Sequence, residues 1–289
     1  MPLKFKKNSF KIMQLSDIHY IDGSKKDQET LRVMRQLIAS EEPDFIVLNG
    51  DTVYCEDNDK RIPEALEPVT SSGIPWSLTF GNHDAEGGKS KDVLFDAIKD
   101  LANCLMQNNT PELYGVGNHE LCIRDSDGQL QWVLFFMDSG DYLDHEIGGY
   151  DMVKLDQILW LKNRIQALET ENPDFSALLF IHIPLPEHNE AFATGDVVGQ
   201  KNEAICSSKL NSGLFASLVE NGHIRGVYCG HDHLNDFTAK LHGIELGYGR
   251  ASGFNTYGRD DFPRGARLFT LTSDPNIPFE TWITLDPQA

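Results

Sequence analysis

The apolar residues of this chain fall in short runs separated by polar stretches, and the runs alternate between two periodicities. Phe10 to Leu15 is short and nearly continuous, as a strand buried on both faces requires. From Asp27 or Gln28 to Ser40, residues Leu31, Met34, Leu37 and Ile38 recur at helical spacing, and Pro43-Asp44 ends that helix. Phe45 to Leu48 predicts a second strand, Pro63 to Thr70 a short helix, and Trp76 to Phe80 a third strand. Ser90 to Asn103 follows as a helix, with Ser90 as its N-cap and Val93, Leu94, Ala97 and Ile98 facing inward. The first hundred residues therefore read β-α-β-α-β-α, the pattern of a parallel sheet. In such sheets ligands gather at the carboxyl ends of the strands.

The middle of the chain changes pattern. Leu113 to Arg124 and Leu130 to Met137 flank Asp125-Ser126-Asp127-Gly128, which predicts a hairpin. Asp156 to Leu168 reads as a helix and Ala177 to Ile181 as a buried strand ending at His182. The polar stretch from Pro184 to Asn211 shows little periodicity, and its length marks it as functional or mobile. Ser212 or Gly213 to Glu220 is a helix, and Ile224 to Cys229 is a strand. Strands then dominate: Phe237 to Leu241 and Ile244 to Tyr248 around His242-Gly243, then Arg267 to Thr272 and Phe279 to Leu285. Two sheets packed together with helices outside is the simplest architecture.

No linker or low-complexity tract divides the 289 residues, so one α/β domain over 1–289 is expected. With 44 acidic against 25 basic residues the net charge is −19, which argues against long nucleic acid or an anionic membrane as partner. A phosphorylated substrate stays open, because bound cations invert local charge. Five scattered cysteines without a C-x-x-C pair fit reduced thiols. No apolar run has the length of a signal peptide or a membrane span, so a cytoplasmic location is expected.

Chemistry concentrates where the strands end. Asp17-Ile18-His19, Gly50-Asp51, Gly81-Asn82-His83-Asp84, His182 and Gly230-His231-Asp232-His233 each follow a short hydrophobic run. Together they hold more ligating atoms than one ion can use. Aspartate, histidine and asparagine suit borderline or hard divalent ions such as Mn, Fe, Zn or Co. A lone histidine after a strand is usually structural. Asp-x-His and His-x-His recurring at strand ends are a different matter.

The ordered series Asp-x-His, Gly-Asp, Gly-Asn-His-Asp, His, Gly-His-x-His resembles that of the calcineurin-like metallophosphoesterase superfamily, over residues 17 to 233. The resemblance implies a four-layer αββα sandwich of two mixed β-sheets flanked by helices. It also implies two divalent transition-metal ions (Mn, Fe or Zn) at the carboxyl ends of the central strands. By family role Asp17, His19, Asp51 and His233 hold the first metal, and Asp51 bridges to a second completed by Asn82, His182 and His231. His83 stands outside the ligand set and acts on the phosphoryl group or protonates the leaving group, with Asp84 orienting it and raising its pKa. The implied activity is hydrolysis of phosphate esters by metal-activated hydroxide. A phosphomonoesterase acting on a phosphorylated small molecule or phosphoprotein is the first reading. A phosphodiesterase of the cyclic-nucleotide type uses the same series, and some superfamily members are non-catalytic scaffolds.

Within the superfamily, Ile181-His182-Ile183-Pro184-Leu185-Pro186-Glu187 and Gly230 to Phe237 resemble the purple-acid-phosphatase-like branch. Gly50-Asp51-Thr52-Val53-Tyr54 carries the spacing that supplies a tyrosinate ligand in the purple enzymes, but those enzymes lack the histidine found here at His19. One coordination position cannot hold both. His19 is the expected ligand, with Tyr54 beside it or in the core, which argues against a permanently ferric, coloured site. Gly117-Asn118-His119-Glu120 repeats the Gly-Asn-His wording inside an alternating run, so His119 reads as structural or surface. His145, His188, His223 and His242 lack partners in sequence, and Asp138 to Tyr142 ends the Leu130–Met137 strand where it could approach the metals, with an acidic turn as the plainer reading. In the Gly-rich segment Tyr248 to Arg259, Arg250 and Arg259 are the candidates to meet a phosphate, against the plainer reading of a surface hairpin.

Overall fold

The structure, a computed structural model, describes residues 2–6, 8–273 and 279–288. In chain order its first elements are β1 (Leu3–Lys4), β2 (Ser9–Leu15), α1 (Lys25–Glu41), β3 (Phe45–Asn49), α2 (Asn58–Ala65), α3 (Glu67–Ser71), β4 (Trp76–Thr79) and α4 (Lys91–Ile98). Then come β5 (His119–Arg124), β6 (Leu130–Phe136), α5 (Leu155–Glu169), β7 (Ser176–Phe180), α6 (Glu187–Thr194) and α7 (Leu214–Asn221). The last are β8 (Ile224–Cys229), β9 (Thr238–Leu241), β10 (Ile244–Tyr248), β11 (Gly265–Thr272) and β12 (Glu280–Leu285).

Five strands form one sheet in the order β12-β11-β2-β3-β4, and seven form the other in the order β1-β5-β6-β7-β8-β10-β9. Each is mixed. β2, β3 and β4 run parallel, as do β6, β7, β8 and β10, with antiparallel strands towards the edges. The burial pattern explains why the central strands are apolar throughout. On β3, Phe45 and Val47 point into the layer between the sheets, while Ile46 and Leu48 meet the helices on the outer face. On β7, Leu178 and Phe180 point between the sheets, and Ala177 and Leu179 pack outward towards α5 and α7. Because side chains alternate with period two, a strand covered on both faces loses its polar positions. The layers are thus helix, sheet, sheet, helix. Among the described residues no helix is long and apolar enough to cross a membrane.

Several boundaries differ from the sequence expectation. The strand expected from Leu113 begins only at His119, because Gly115 and Gly117 take left-handed backbone at φ 78° and 83° and bend the chain first. The helix expected to reach Asn103 stops at Ile98. The Pro63–Thr70 helix is two short helices that break at Leu66, where Pro68 opens the first turn of α3 without an N–H. The polar stretch after Pro184 carries α6, then bridges to β9 at Val198 and Thr238.

Candidate metal centre

The loops after β2, β3, β4, β7 and β8 converge at the carboxyl ends of the two facing sheets. Backbone bonds join the first two: Asp17 N–H donates to Gly50 O (3.1 Å) and His19 N–H to Asp51 O (2.9 Å). Asp17, His19, Asp51 and His231 all have positive φ, at 54°, 48°, 52° and 76°. That conformation costs a side-chain-bearing residue about 1–2 kcal/mol and tends to persist where function requires it. Two glycines permit the approach. A Cβ on Gly50 would lie 2.2 Å from His182 Nδ1, and one on Gly81 would lie 2.2 Å from Asp51 Oδ1.

Two sets of buried donors result. The ligand atoms of Asp17, His19, Asp51 and His233 lie within 4.8 Å of one another, and so do those of Asp51, His182 and His231. Asp51 belongs to both. Its Oδ2 is 3.1 Å from His182 Nε2 and 3.5 Å from His19 Nε2, while His233 Nε2 is 3.5 Å from Asp17 Oδ1. Among the described residues, Asp51 Oδ2, His19 Nε2, His182 Nε2 and Asn82 Oδ1 are buried without a hydrogen-bond partner. A buried polar atom left unpaired costs about 1–3 kcal/mol, and three of these atoms, on Asp51, His19 and His182, belong to the donor sets, so something must satisfy them there. Divalent cations fit this set of oxygens and imidazole nitrogens. The other ring nitrogens are tied back. His182 Nδ1 donates to Asn49 O (2.9 Å), and His233 Nδ1 bonds the Thr256 hydroxyl, which fixes the ring orientations.

Electrostatics agree with that fit. Burial pushes His19 down to about 4, with the nearby Asp51 charge opposing, and burial together with His182 pushes His231 down to about 3. Both are therefore neutral and free to ligate near pH 7. Burial alone would raise the carboxyl of Asp51, but the charge of His182 outweighs it and holds the group well below the usual range. His182, opposed by burial but favoured by Asp51, is raised to about 9, so without a metal a proton sits where a cation would.

The fold is shared with a dimetal phosphatase from Danio rerio, at TM-score 0.62 and 12% identity over 95% of this chain and 99% of that one. Residues 10–235 match the family model for calcineurin-like phosphoesterases. The chain belongs to that family. Within it, the chain is 36% identical to "Probable inactive purple acid phosphatase 14" of Arabidopsis thaliana, over 96% of its own length and 80% of that protein. It is 34% identical to "Probable inactive purple acid phosphatase 29" of the same plant, over 93% and 78%.

The calcineurin-like fold brings Asp17, His19, Asp51, His182, His231 and His233 to one place, with the His83 ring beside that of His19 and Asn82 buried between Gly81 and His83. Other expectations need correction. Asp84 does not reach His83. Its carboxylate instead accepts the backbone N–H groups of Asp51 (3.0 Å), Thr52 (2.7 Å), Val53 (3.0 Å) and Gly81 (2.7 Å), and so clamps two ligand loops together. The partner of His83 is Glu86, with Oε2 2.5 Å from Nδ1. Tyr142 OH donates to the same oxygen (3.1 Å) and accepts from Asn82 Nδ2 (3.3 Å). The turn at Asp138 to Tyr142 therefore delivers a side chain to the centre as well as pairing Asp138 and Asp141 with buried Lys91.

Both candidate arginines are paired with aspartates, Arg250 in the interior and Arg259 at the surface. Arg250 is buried, 2.5 Å from Asp236, donating to Pro263 O and lying 3.2 Å from the Phe262 ring centre. Arg259 is a surface residue paired with Asp261 at 2.5 Å. Tyr54 is not in the core: it is 42% exposed, with its ring centre 4.8 Å from that of His83. Glu86, Tyr142, Tyr150 and Thr256 are the participants that the sequence pattern misses. Only Glu86, three residues beyond His83, left a local signal.

Proposed function

We propose that this chain is a dinuclear-metal-dependent hydrolase of phosphate esters that acts as a phosphomonoesterase. The observation that carries the reading is the pair of buried donor sets sharing Asp51, with unpaired ligand atoms on three of their residues. Asp17, His19, Asp51 and His233 would hold one cation, and Asp51, Asn82, His182 and His231 the other. Bound cations would supply an activated water and withdraw charge from the phosphoryl oxygens. The chain's own contribution is position. Asp51 Oδ1 accepts the N–H of His83 (2.8 Å), which fixes that residue relative to the shared carboxylate. His83 Nδ1–H donates to Glu86, so in the imidazolium form Nε2–H is left to donate to a phosphoryl oxygen or to the leaving group.

The names of the relatives support a phosphatase over a diesterase. Three of those names, including both Arabidopsis proteins above, also contain the words "probable inactive", and the complete donor set here supports activity for this chain. A phosphorylated small molecule or phosphoprotein is the substrate in this reading. The five cysteines are free thiols, which supports a cytoplasmic location.

The test is turnover of 4-nitrophenyl phosphate and bis(4-nitrophenyl) phosphate by Mn-loaded protein, with elemental analysis of the same sample. About two transition metals per chain and faster hydrolysis of the monoester are expected. Less than about one metal per chain with turnover that survives chelation overturns the dinuclear reading. Faster hydrolysis of the diester overturns the monoesterase assignment.

A further inference from the structure

Exposed tyrosine gathers at this centre. Tyr54, Tyr142 and Tyr257 are 42%, 47% and 53% exposed, and only Tyr114 among the other described tyrosines is as open. Each of the three touches a residue of the site. The Tyr54 ring centre lies 4.8 Å from that of His83, the Tyr257 ring 4.3 Å from His233, and Tyr142 bonds Asn82. Partly buried Tyr150 stands edge-on to His231 at 4.2 Å and stacks on Tyr142 at 5.7 Å. Since the rings of His83, His19 and His233 are 5.3 and 5.1 Å apart in turn, Tyr54 and Tyr257 flank a continuous row of imidazoles.

Folding alone does not account for these rings, because each leaves a large aromatic surface in water. Two of them are also held in orientation. Tyr257 OH donates to Glu203 (2.7 Å), and Tyr142 OH donates to Glu86 (3.1 Å). A tyrosine fixed in this way offers a flat face at little further entropic cost. Glu86 and Glu203 accept the hydroxyls of Tyr142 and Tyr257, and Arg264 donates to Tyr257 O (3.0 Å), so the rings are set from below by polar partners. An aromatic ring on the substrate would meet their aromatic faces.

We propose that the tyrosine rim selects phosphomonoesters whose leaving group carries a flat aromatic ring. The proposal rests on the phosphoesterase reading and names its substrate class. Benzyl phosphate and cyclohexylmethyl phosphate test it, because they match in size and their alcohols are of similar acidity, so only the ring differs. For Mn-loaded protein, kcat/KM for the benzyl ester should exceed that for the cyclohexylmethyl ester by roughly three- to tenfold, mostly through KM. Tyr54→Leu and Tyr257→Leu should each bring the ratio towards one, and Tyr54→Phe and Tyr257→Phe should restore it. Calorimetric titration with benzylphosphonate and cyclohexylmethylphosphonate, whose P–C bonds are not hydrolysed, reads recognition without turnover and should show the same preference.

Equal binding of the two phosphonates overturns the proposal, whether or not the esters are hydrolysed. Phosphocholine outcompeting the benzyl ester overturns it in favour of a cationic tail. Ring-selective binding without hydrolysis of any ester sustains the rim and sinks the phosphoesterase reading, which keeps the two failures apart.

Discussion

Gly81-Asn82-His83-Asp84 and Gly117-Asn118-His119-Glu120 share three residues and a following acid, but the fold treats them differently. Asn118 has both side-chain atoms paired: Oδ1 accepts from Asp138 N (3.2 Å) and Gln157 Nε2 (2.7 Å), and Nδ2 donates to Tyr114 O (2.9 Å). His119 is likewise complete, with Nε2 on Ser77 Oγ and Nδ1 on Gly117 O, both at 2.7 Å, and its ring stacked on Phe136 at 4.6 Å. In the first motif Asn82 Oδ1 is buried without a partner, and the His83 side chain is 27% exposed beside the donor sets. What separates the two motifs in the structure is therefore open hydrogen-bonding capacity at the first and closed capacity at the second. The first motif follows β4 into the cleft, and the second runs into β5, where Ser77 of the facing sheet closes the account.

The largest way to break this contrast is through Asp51, which ties the first motif to the donor sets by accepting the N–H of His83. Asp51→Asn should lower turnover of 4-nitrophenyl phosphate by roughly 10³-fold and reduce bound metal. Full metal content with turnover within about tenfold of wild type would remove Asp51 from the shared position.

Next comes the direct exchange of the two histidines. His83→Ala should cost roughly 10²–10⁴-fold in kcat with metal content unchanged. His119→Ala should change kcat less than about threefold but lower folding stability by about 2–4 kcal/mol, since it opens a cavity and strands the Ser77 hydroxyl. Denaturant unfolding read beside kcat decides the matter. If folded, metallated His119→Ala loses more activity than His83→Ala, the active site has been placed on the wrong motif.

A smaller effect separates the two acids near His83. Glu86→Gln should lower kcat roughly tenfold while metal content and melting stay close to wild type, because only the support of His83 Nδ1 is weakened. Asp84→Asn should instead show first as lost stability and lost metal, because its carboxylate accepts four backbone N–H groups from two ligand loops. The reverse pattern would return the orienting role to Asp84.

The residues of the two donor sets were legible because each follows an apolar run that reads as a strand, and parallel strands deliver their carboxyl ends to one edge. The second row of residues was not. Arg250 pairs with Asp236 and packs on Phe262, and Tyr142 reaches Asn82 from sixty residues away, so nothing adjacent in sequence announces either contact. Asp84 misled for a related reason. Adjacency to His83 suggested a pair, but consecutive residues in a turn point their side chains apart, and the carboxylate found backbone donors on the neighbouring loop. Strand ends were blurred where glycine overruled pattern: Gly115 and Gly117 extend the apolar alternation before β5 while bending the backbone out of it.

The last effect concerns the second motif alone, leaves turnover untouched and appears with pH. Burial pushes His119 from an ordinary 6.5 down to about 4, with the bond to Gly117 O opposing only in part. In the unfolded chain this histidine takes up a proton below about pH 6.5, and in the folded protein it does not until about pH 4. Its contribution to stability is thus fully present above 6.5 and is lost as pH falls through the folded value, a total of about 3 kcal/mol. Other buried histidines titrate in the same window, so wild type must be compared with His119→Gln, which keeps a polar side chain and cannot titrate. His119→Gln should be the less stable protein at pH 7, and the gap in unfolding free energy should narrow by about 3 kcal/mol between pH 7 and pH 4. Metal-free protein is used for both, so that loss of ligands in acid does not enter. A gap that stays constant with pH would mean that His119 is not held neutral, and the closed hydrogen-bonding that distinguishes it from His83 would lose its energetic meaning.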